Sequence, residues 1–282
     1  MSNSLGNILI SGYGDIGKRV AQRHMHQSMQ VYALCRRHHH DDAIQFINHD
    51  LDQVISELPP FDAIYHFMPP PSSGTLDPRV GHLLSALRQA PRKMLLISTS
   101  AVYGDCQGAW VDENAPLLAT SDRGKRRADA EAQWRQWAQA HGSDWIIFRV
   151  PGIYGPGRLP IERIEKGIPM VEEAAAPFTN RIHSEDLAQL AYLAVSENRM
   201  HGIYNVSDGQ PGNMTQYFNA VADAAGLPRP PQITAAQAKQ QLSPGMLSYL
   251  SESRRLRIDK LLRDSDYQFF YPDLASGLAA SL

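Results

Sequence analysis

Cysteine is scarce in this 282-residue chain. Cys35 and Cys106 lie far apart with no CxxC spacing, which excludes a cysteine zinc site and argues against a disulfide framework. Long apolar runs are missing too. Trp145-Ile146-Ile147-Phe148 is among the longest, whereas a bilayer span needs roughly 20 apolar residues. Met1 to Ser11 carry no basic stretch ahead of their few apolar residues, so no secretory signal is expected. Neither sign of charge dominates: Lys+Arg total 27 against 29 Asp+Glu, a formal net charge of -2, which excludes a chain-wide polycation for nucleic acid. No repeat is visible, no low-complexity tract beyond His38-His39-His40, and no nucleophile elbow of a Ser/His/Asp enzyme. What is present is a hydrophobic fraction of 43%, ample for one large or two closely packed domains. The expectation is a cytoplasmic globular protein with neither a membrane nor a nucleic-acid partner.

The first half alternates two periodicities. Short apolar runs at 7–11, 31–35, 44–47, 63–67, 94–98 and 145–149 read as strands. Between them lie stretches with helical spacing, such as Gly17, Val20, Ala21 and His24, and a helix over about 124–141 with Ala130, Trp134, Trp137 and His141 on one face. A further helix is expected from Ser184 as N-cap, with a stripe of Leu187, Leu190, Ala191, Ala194 and Val195. Strands apolar on both faces and separated by helices predict a doubly wound α/β fold with a parallel sheet. After residue 150 proline and glycine become frequent. The expected organisation is therefore a dinucleotide-binding domain over 1–150, with return elements near 180–206, and a mainly substrate-side region over 151–282.

Gly12-Tyr13-Gly14-Asp15-Ile16-Gly17 matches GxGxxG between the first strand and the first helix. Gly12 suits the tight turn, Gly14 a close backbone approach to a pyrophosphate, and Gly17 close packing of helix on strand. The helix N-terminus adds N–H donors and partial positive charge. Cys35-Arg36-Arg37 ends the second strand, where an acidic residue would read the ribose of NAD. Guanidinium groups instead match a 2′-phosphate, so NADP is the expected cofactor and NAD the less expected one.

Further blocks follow in order: Ser98-Thr99-Ser100-Ala101-Val102-Tyr103-Gly104, then Arg149-Val150-Pro151-Gly152-Ile153-Tyr154-Gly155-Pro156-Gly157-Arg158, then Asn180-Arg181-Ile182-His183-Ser184-Glu185-Asp186. With the glycine turn they resemble the extended short-chain dehydrogenase/reductase superfamily, the NAD-dependent epimerase/dehydratase group. The resemblance implies a Rossmann domain, a small carboxy-terminal substrate region, and carbonyl or alcohol substrates, often nucleotide sugars. It also implies Thr99 orienting the substrate oxygen, Ser98 beside the cofactor, Asp50 and Leu51 near the adenine, and Phe67, Met68 and Pro69 along the cofactor. The family's YxxxK dyad falls on Arg123 and Arg127. Arginine does not release a proton near neutrality, so Arg123 is no proton donor. Arg127 remains a candidate for the ribose hydroxyls.

If the chain is an enzyme, its proton donor is therefore non-standard, and Tyr103 and Tyr154 are the candidates. Tyr103 also has a packing reading. Arg123, Lys125, Arg158 and Arg181 are candidates for an anionic substrate group. The rival reading is a catalytically silent NADP-binding sensor or scaffold. His38 to His40 read as a solvated loop without metal-site spacing, and no metal is expected. His24 and His66 read as packed histidines, Trp134 and Trp137 as core, and Arg254-Arg255-Leu256-Arg257 as a basic helix face.

Overall fold

The computed structural model describes residues 6–25, 29–37 and 39–282. Met1 to Leu5 and His38, on which two expectations partly rest, lie outside the described residues. Seven strands form one parallel sheet: β1 (Asn7–Ser11), β2 (Gln30–Cys35), β3 (Ile44–Asn48), β4 (Ala63–His66), β5 (Lys93–Thr99), β6 (Asp144–Val150) and β7 (Gly202–Asn205). Their spatial order is β7-β6-β5-β4-β1-β2-β3. β1 lies between β2 and β4, with Ile8 opposite Val31 on one side and Ala63 on the other. The order reverses there, and a crevice opens beyond the carboxyl ends of the strands. This is the Rossmann-type α/β sheet the alternation predicts.

The period of two in each strand decides which side chain meets which helix. Ile8 and Ile10 point to the face covered by α1 (Asp15–Met25) and α4 (Ser184–Ser196), packing with Val20, Ala21 and Leu187. Leu9 points to the face covered by α2 (Pro78–Ser85) and α3 (Asp122–His141), packing with Val80, Leu83 and Trp134. The core stripe of α3 runs Ala130, Trp134, Ala138, while Trp137 is only half-buried and stacks on an exposed His141. A third core, with Tyr154, Ile164, Met170, Tyr217 and Phe218, gathers residues of the proline- and glycine-rich second half around α5 (Met214–Ala224). Among the described residues no helix is long and apolar enough to cross a membrane, and no group of three or more metal-capable side chains assembles.

Two local expectations need correction. Ser184 is the first helical residue of α4, and the cap is His183, whose Nδ1 accepts the Glu185 N–H at 3.2 Å. An imidazole nitrogen takes the place of the hydroxyl because it satisfies the same orphan donor. The Arg254–Arg257 segment is not a helix face. Arg255–Leu256 is a short strand parallel to Trp110–Val111. Arg254 and Leu256 turn inward, whereas Arg255 lies over the ring of Trp110.

His24 and His66 are packed, as expected. His24 is fully buried with Nε2 2.7 Å from the Tyr65 hydroxyl, and His66 has Nδ1 3.1 Å from Ser11 Oγ. Burial pushes the His24 ring down from 6.5 to about 4, so the folded protein holds it neutral. Well above pH 6.5 neither the folded nor the unfolded chain protonates it. As the pH falls from there toward 4, the unfolded chain takes up a proton that the folded chain refuses, and stability is lost. The difference in unfolding free energy between wild type and His24→Gln should therefore narrow by about 1.4 kcal/mol between pH 7.5 and 5.5 in urea titrations. A difference independent of pH would show that His24 titrates alike in both states.

Candidate active site

The chain leaves β1 through Gly12, whose φ of +101° is open to glycine and whose missing Cβ would sit 2.7 Å from the backbone N of Met68. A Cβ on Gly17 would meet the Gly12 carbonyl at 2.4 Å, so α1 packs against its own turn only without one. A Cβ on Gly14 would meet nothing within 4 Å. That glycine faces open space. The space is a cavity of about 690 Å³, walled by the whole turn Gly12 to Gly17, by Cys35, Arg36 and Arg37 after β2, by Phe67, Met68 and Pro69 after β4, and by Ile97 of β5. His39 also reaches this wall, with its ring edge-on to Tyr13 at 5.4 Å. The features expected of a dinucleotide cradle fit here: an unobstructed glycine, a helix N-terminus and two guanidinium groups at the strand end.

A second cavity of about 380 Å³ adjoins it. Ile153 and Arg158 belong to both walls, so the two form one cleft. Thr99, Arg123 and Arg181 line the second cavity together with Tyr249, Glu252 and Arg254. Thr99 Oγ1 accepts the Ala101 N–H at 3.3 Å, which leaves its own hydroxyl proton for another acceptor. The Arg123 guanidinium lies 3.7 Å over the Tyr249 ring and 3.5 Å from Glu252. Arg254 donates to Glu252 at 2.6 Å and to the Gly104 carbonyl at 2.5 Å. Arg158 Nε donates to Asp15 Oδ2 at 2.6 Å. Arg181 stacks on Tyr217 at 3.6 Å and donates to Thr179 Oγ1 at 3.3 Å. Burial pushes Arg181 down to about 10, and burial also pushes the nearby Asp208 carboxyl up to about 7.

Several expected site residues stand elsewhere. The Tyr103 side chain is fully buried, its hydroxyl donating to Asn205 Oδ1 at 2.7 Å and accepting from Arg149 at 3.0 Å. Burial outweighs the Arg149 charge and pushes it up to about 12. Tyr154 is buried against His183 and Tyr217, and burial, with Asp208 and Asp186 nearby, raises it as well. Neither phenol lines either cavity; both are buried in the interior. Ser98 is likewise internal, donating to Glu131 Oε1 at 2.6 Å. Leu51 is core, and Asp50 sits outside the cavity wall, 3.8 Å from Arg36. Arg127 is buried off the cavity walls, donating to the Met68 carbonyl at 3.0 Å with Asp77 3.7 Å away, and burial pushes it down to about 10. Lys125 is exposed and lines neither cavity.

Sequence reading passed over Tyr249, Glu252 and His39. Tyr249 and Glu252 carry no motif and reach Arg123 only through the tertiary fold. His39 was visible in the histidine tract, but nothing local says that its ring turns toward Tyr13.

A family model, the NAD dependent epimerase/dehydratase family, matches residues 8–207. No protein of curated function matches the chain. Among solved structures, a functionally unknown conserved protein from Silicibacter pomeroyi is 28% identical, with 98% of this chain and 97% of that one covered at a TM-score of 0.77. UDP-glucuronic acid 4-epimerase from Bacillus cereus, in complex with NAD, is 18% identical, with 98% and 97% covered at 0.77. The human epimerase family protein SDR39U1 with NADPH is 18% identical, with 97% and 98% covered at 0.72. The glycine turn, the Thr99 block and the strand that ends in Tyr204 and Asn205 all fall inside the matched segment, and the chain belongs to the NAD dependent epimerase/dehydratase family.

Proposed function

We propose that the protein is an NADP-dependent oxidoreductase or epimerase acting on a small anionic substrate, with a proton donor other than the family's tyrosine. The observation that carries this reading is the continuity of the cleft: an open glycine turn with Arg36 and Arg37 on one side, and Thr99 among cationic side chains on the other. In this reading residues 1–150 and the return elements near 180–206 hold the dinucleotide, and the rest of the chain completes the substrate cavity. When bound, the nicotinamide supplies a hydride acceptor or donor.

The chain's own residues divide the remaining work. Gly14 and the N-terminus of α1 receive the phosphates, and Arg36 and Arg37 select the 2′-phosphate. Thr99 orients the reacting substrate oxygen. Arg123, Arg158, Arg181 and Arg254 surround a cavity with Glu252 as its one carboxylate, an environment for an anion. A nucleotide sugar meets that description, and the Bacillus cereus neighbour is named for one. Tyr249 is the phenol on this wall. It replaces Tyr103 and Tyr154 as the candidate to hold and move the proton at the substrate oxygen.

Gly14→Val should leave the fold intact, because the added carbons point into open space, yet weaken NADPH binding at least tenfold by blocking the phosphates. Fluorescence titration of NADPH checks this, and unchanged affinity in a folded variant would overturn the cradle. Arg36→Asp should shift preference toward NADH in the same titration. Tighter binding of NADH than NADPH by the wild type would refute the choice of cofactor.

With UDP-glucuronic acid or another nucleotide sugar that turns over, Tyr249→Phe should retain the stacked ring and lose about a hundredfold or more in kcat, the scale of a lost general acid or base. Tyr103→Phe should instead lower the melting temperature, because it leaves buried Asn205 and Arg149 groups short of a partner. The reverse pattern would return the proton-transfer role to Tyr103.

A further inference from the structure

We infer that Arg158 sets the affinity for the dinucleotide by neutralising Asp15 within the phosphate-binding turn, beyond any contact it makes with substrate. The inference rests on the dinucleotide reading of the larger cavity. Asp15 occupies a variable position of the glycine turn and is the first residue of α1. It lines the cavity wall. A helix N-terminus favours a carboxylate there, and it favours a phosphate there for the same reason. Two anions then share one seat, and each weakens the other unless a cation stands between them.

Two guanidinium groups hold the Asp15 carboxylate, one on each oxygen. Arg19 Nε is 2.9 Å from Oδ1 and Arg158 Nε is 2.6 Å from Oδ2. They are not equivalent. Arg19 is also committed to Glu185 at 2.5 Å, Glu185 in turn pairs with Arg23, and Arg19 lies off both cavity walls. Arg158 has Asp15 as its one carboxylate partner among the described residues, and it is on both cavity walls. The linked group holds three guanidiniums and two carboxylates. With Arg158 the group carries a net charge of +1; without it the group would be neutral, and Asp15 would keep only Arg19, which Glu185 shares.

The loop that carries Arg158 is fixed enough for this task. Its N–H donates to the Gly155 carbonyl at 3.0 Å. Gly155 and Gly157 have φ of +147° and +71°, and a Cβ on Gly155 would lie 2.3 Å from Ser184 Oγ. The loop is thus pressed against the start of α4, beside the Arg19–Glu185 pair, and the guanidinium is presented to Asp15 from the substrate side.

The test is a double-mutant cycle read by NADPH fluorescence titration on the full chain. Arg158→Ala should weaken NADPH at least tenfold, equivalent to about 1.4 kcal/mol. Arg158→Lys, which keeps the charge, should stay within about threefold of wild type. Asp15→Asn should bind NADPH as tightly as wild type or tighter, and the Asp15→Asn/Arg158→Ala double variant should recover to within about threefold. Equal weakening by Arg158→Ala in both backgrounds would mean that the arginine acts on the phosphates directly and would overturn the inference. An unaffected Arg158→Ala would overturn it too. If thermal melts show that Arg158→Ala does not fold, Asp15→Asn decides alone: a tenfold loss of NADPH affinity would overturn the inference. A wild type that binds neither NADPH nor NADH would remove the dinucleotide reading itself, and this inference with it.

Discussion

A buried ion pair between Arg149 and Glu131 organises the floor of the cleft. Arg149 sits on β6 and donates through Nη2 to Glu131 Oε2 at 2.8 Å, with Nε within 3.2–3.3 Å of both carboxylate oxygens. Both side chains are almost wholly removed from water. Such a pair stands only when its leftover donors and acceptors are satisfied. Ser98 of β5 gives Glu131 another donor, and Arg149 Nη1 donates to the Tyr103 hydroxyl, which in turn donates a hydrogen bond to Asn205 Oδ1 of β7. One charge pair thereby ties α3 to the carboxyl ends of three strands. The strand period of two then fixes the cleft wall. Ser98 turns inward to Glu131, so Ile97 and Thr99 both face the cleft, one on the dinucleotide side and one on the substrate side.

The same demand for satisfied charge explains what became of the family's dyad positions. Arg123, Lys125, Arg126 and Arg127 crowd the start of α3, where the helix dipole disfavours cations. Three of them are relieved by acceptors outside the helix, and Lys125 by solvent. Arg123 has Glu252 and the Tyr249 ring; Arg126 donates to the Gly74 carbonyl; Arg127 donates to Met68 and faces Asp77. Arg127 therefore acts one layer behind the cleft. It donates to the carbonyl of Met68, a residue of the cavity wall, from behind that wall.

The glycine turn was readable because its requirements are steric and local. A positive φ at Gly12, a 2.4 Å approach at Gly17 and open space at Gly14 all arise within a few residues, or against the neighbouring strand. The helix stripes and strand positions were readable because period and alternation report the same burial. The substrate side was much less so. Arg123 and Arg181 could be named from motif register, but Tyr249 and Glu252 come from far along the chain and carry no signature. Tyr103 and Tyr154 looked alike in sequence, each a phenol following a strand, and nothing local said that both would turn inward. The Arg254–Arg257 run had an in–out alternation, yet a two-residue strand is too short for that alternation to stand apart from a helix face.

The cations of the second cavity differ in how they are held. Arg123 and Arg254 share Glu252, and Arg158 has Asp15. Arg181 has no ion pair among the described residues; it stacks on the Tyr217 ring and donates to the Thr179 hydroxyl. A guanidinium in that position is unfavourably desolvated, which is why burial lowers its proton affinity to about 10. Asp208, the nearby acid, is itself buried, and burial pushes its carboxyl up to about 7. An anion entering the cavity would give Arg181 a counter-charge that the fold does not supply. In the proposed reaction Arg181 is thus the cation with the most to gain from substrate, whereas Arg158 is already engaged with the dinucleotide turn.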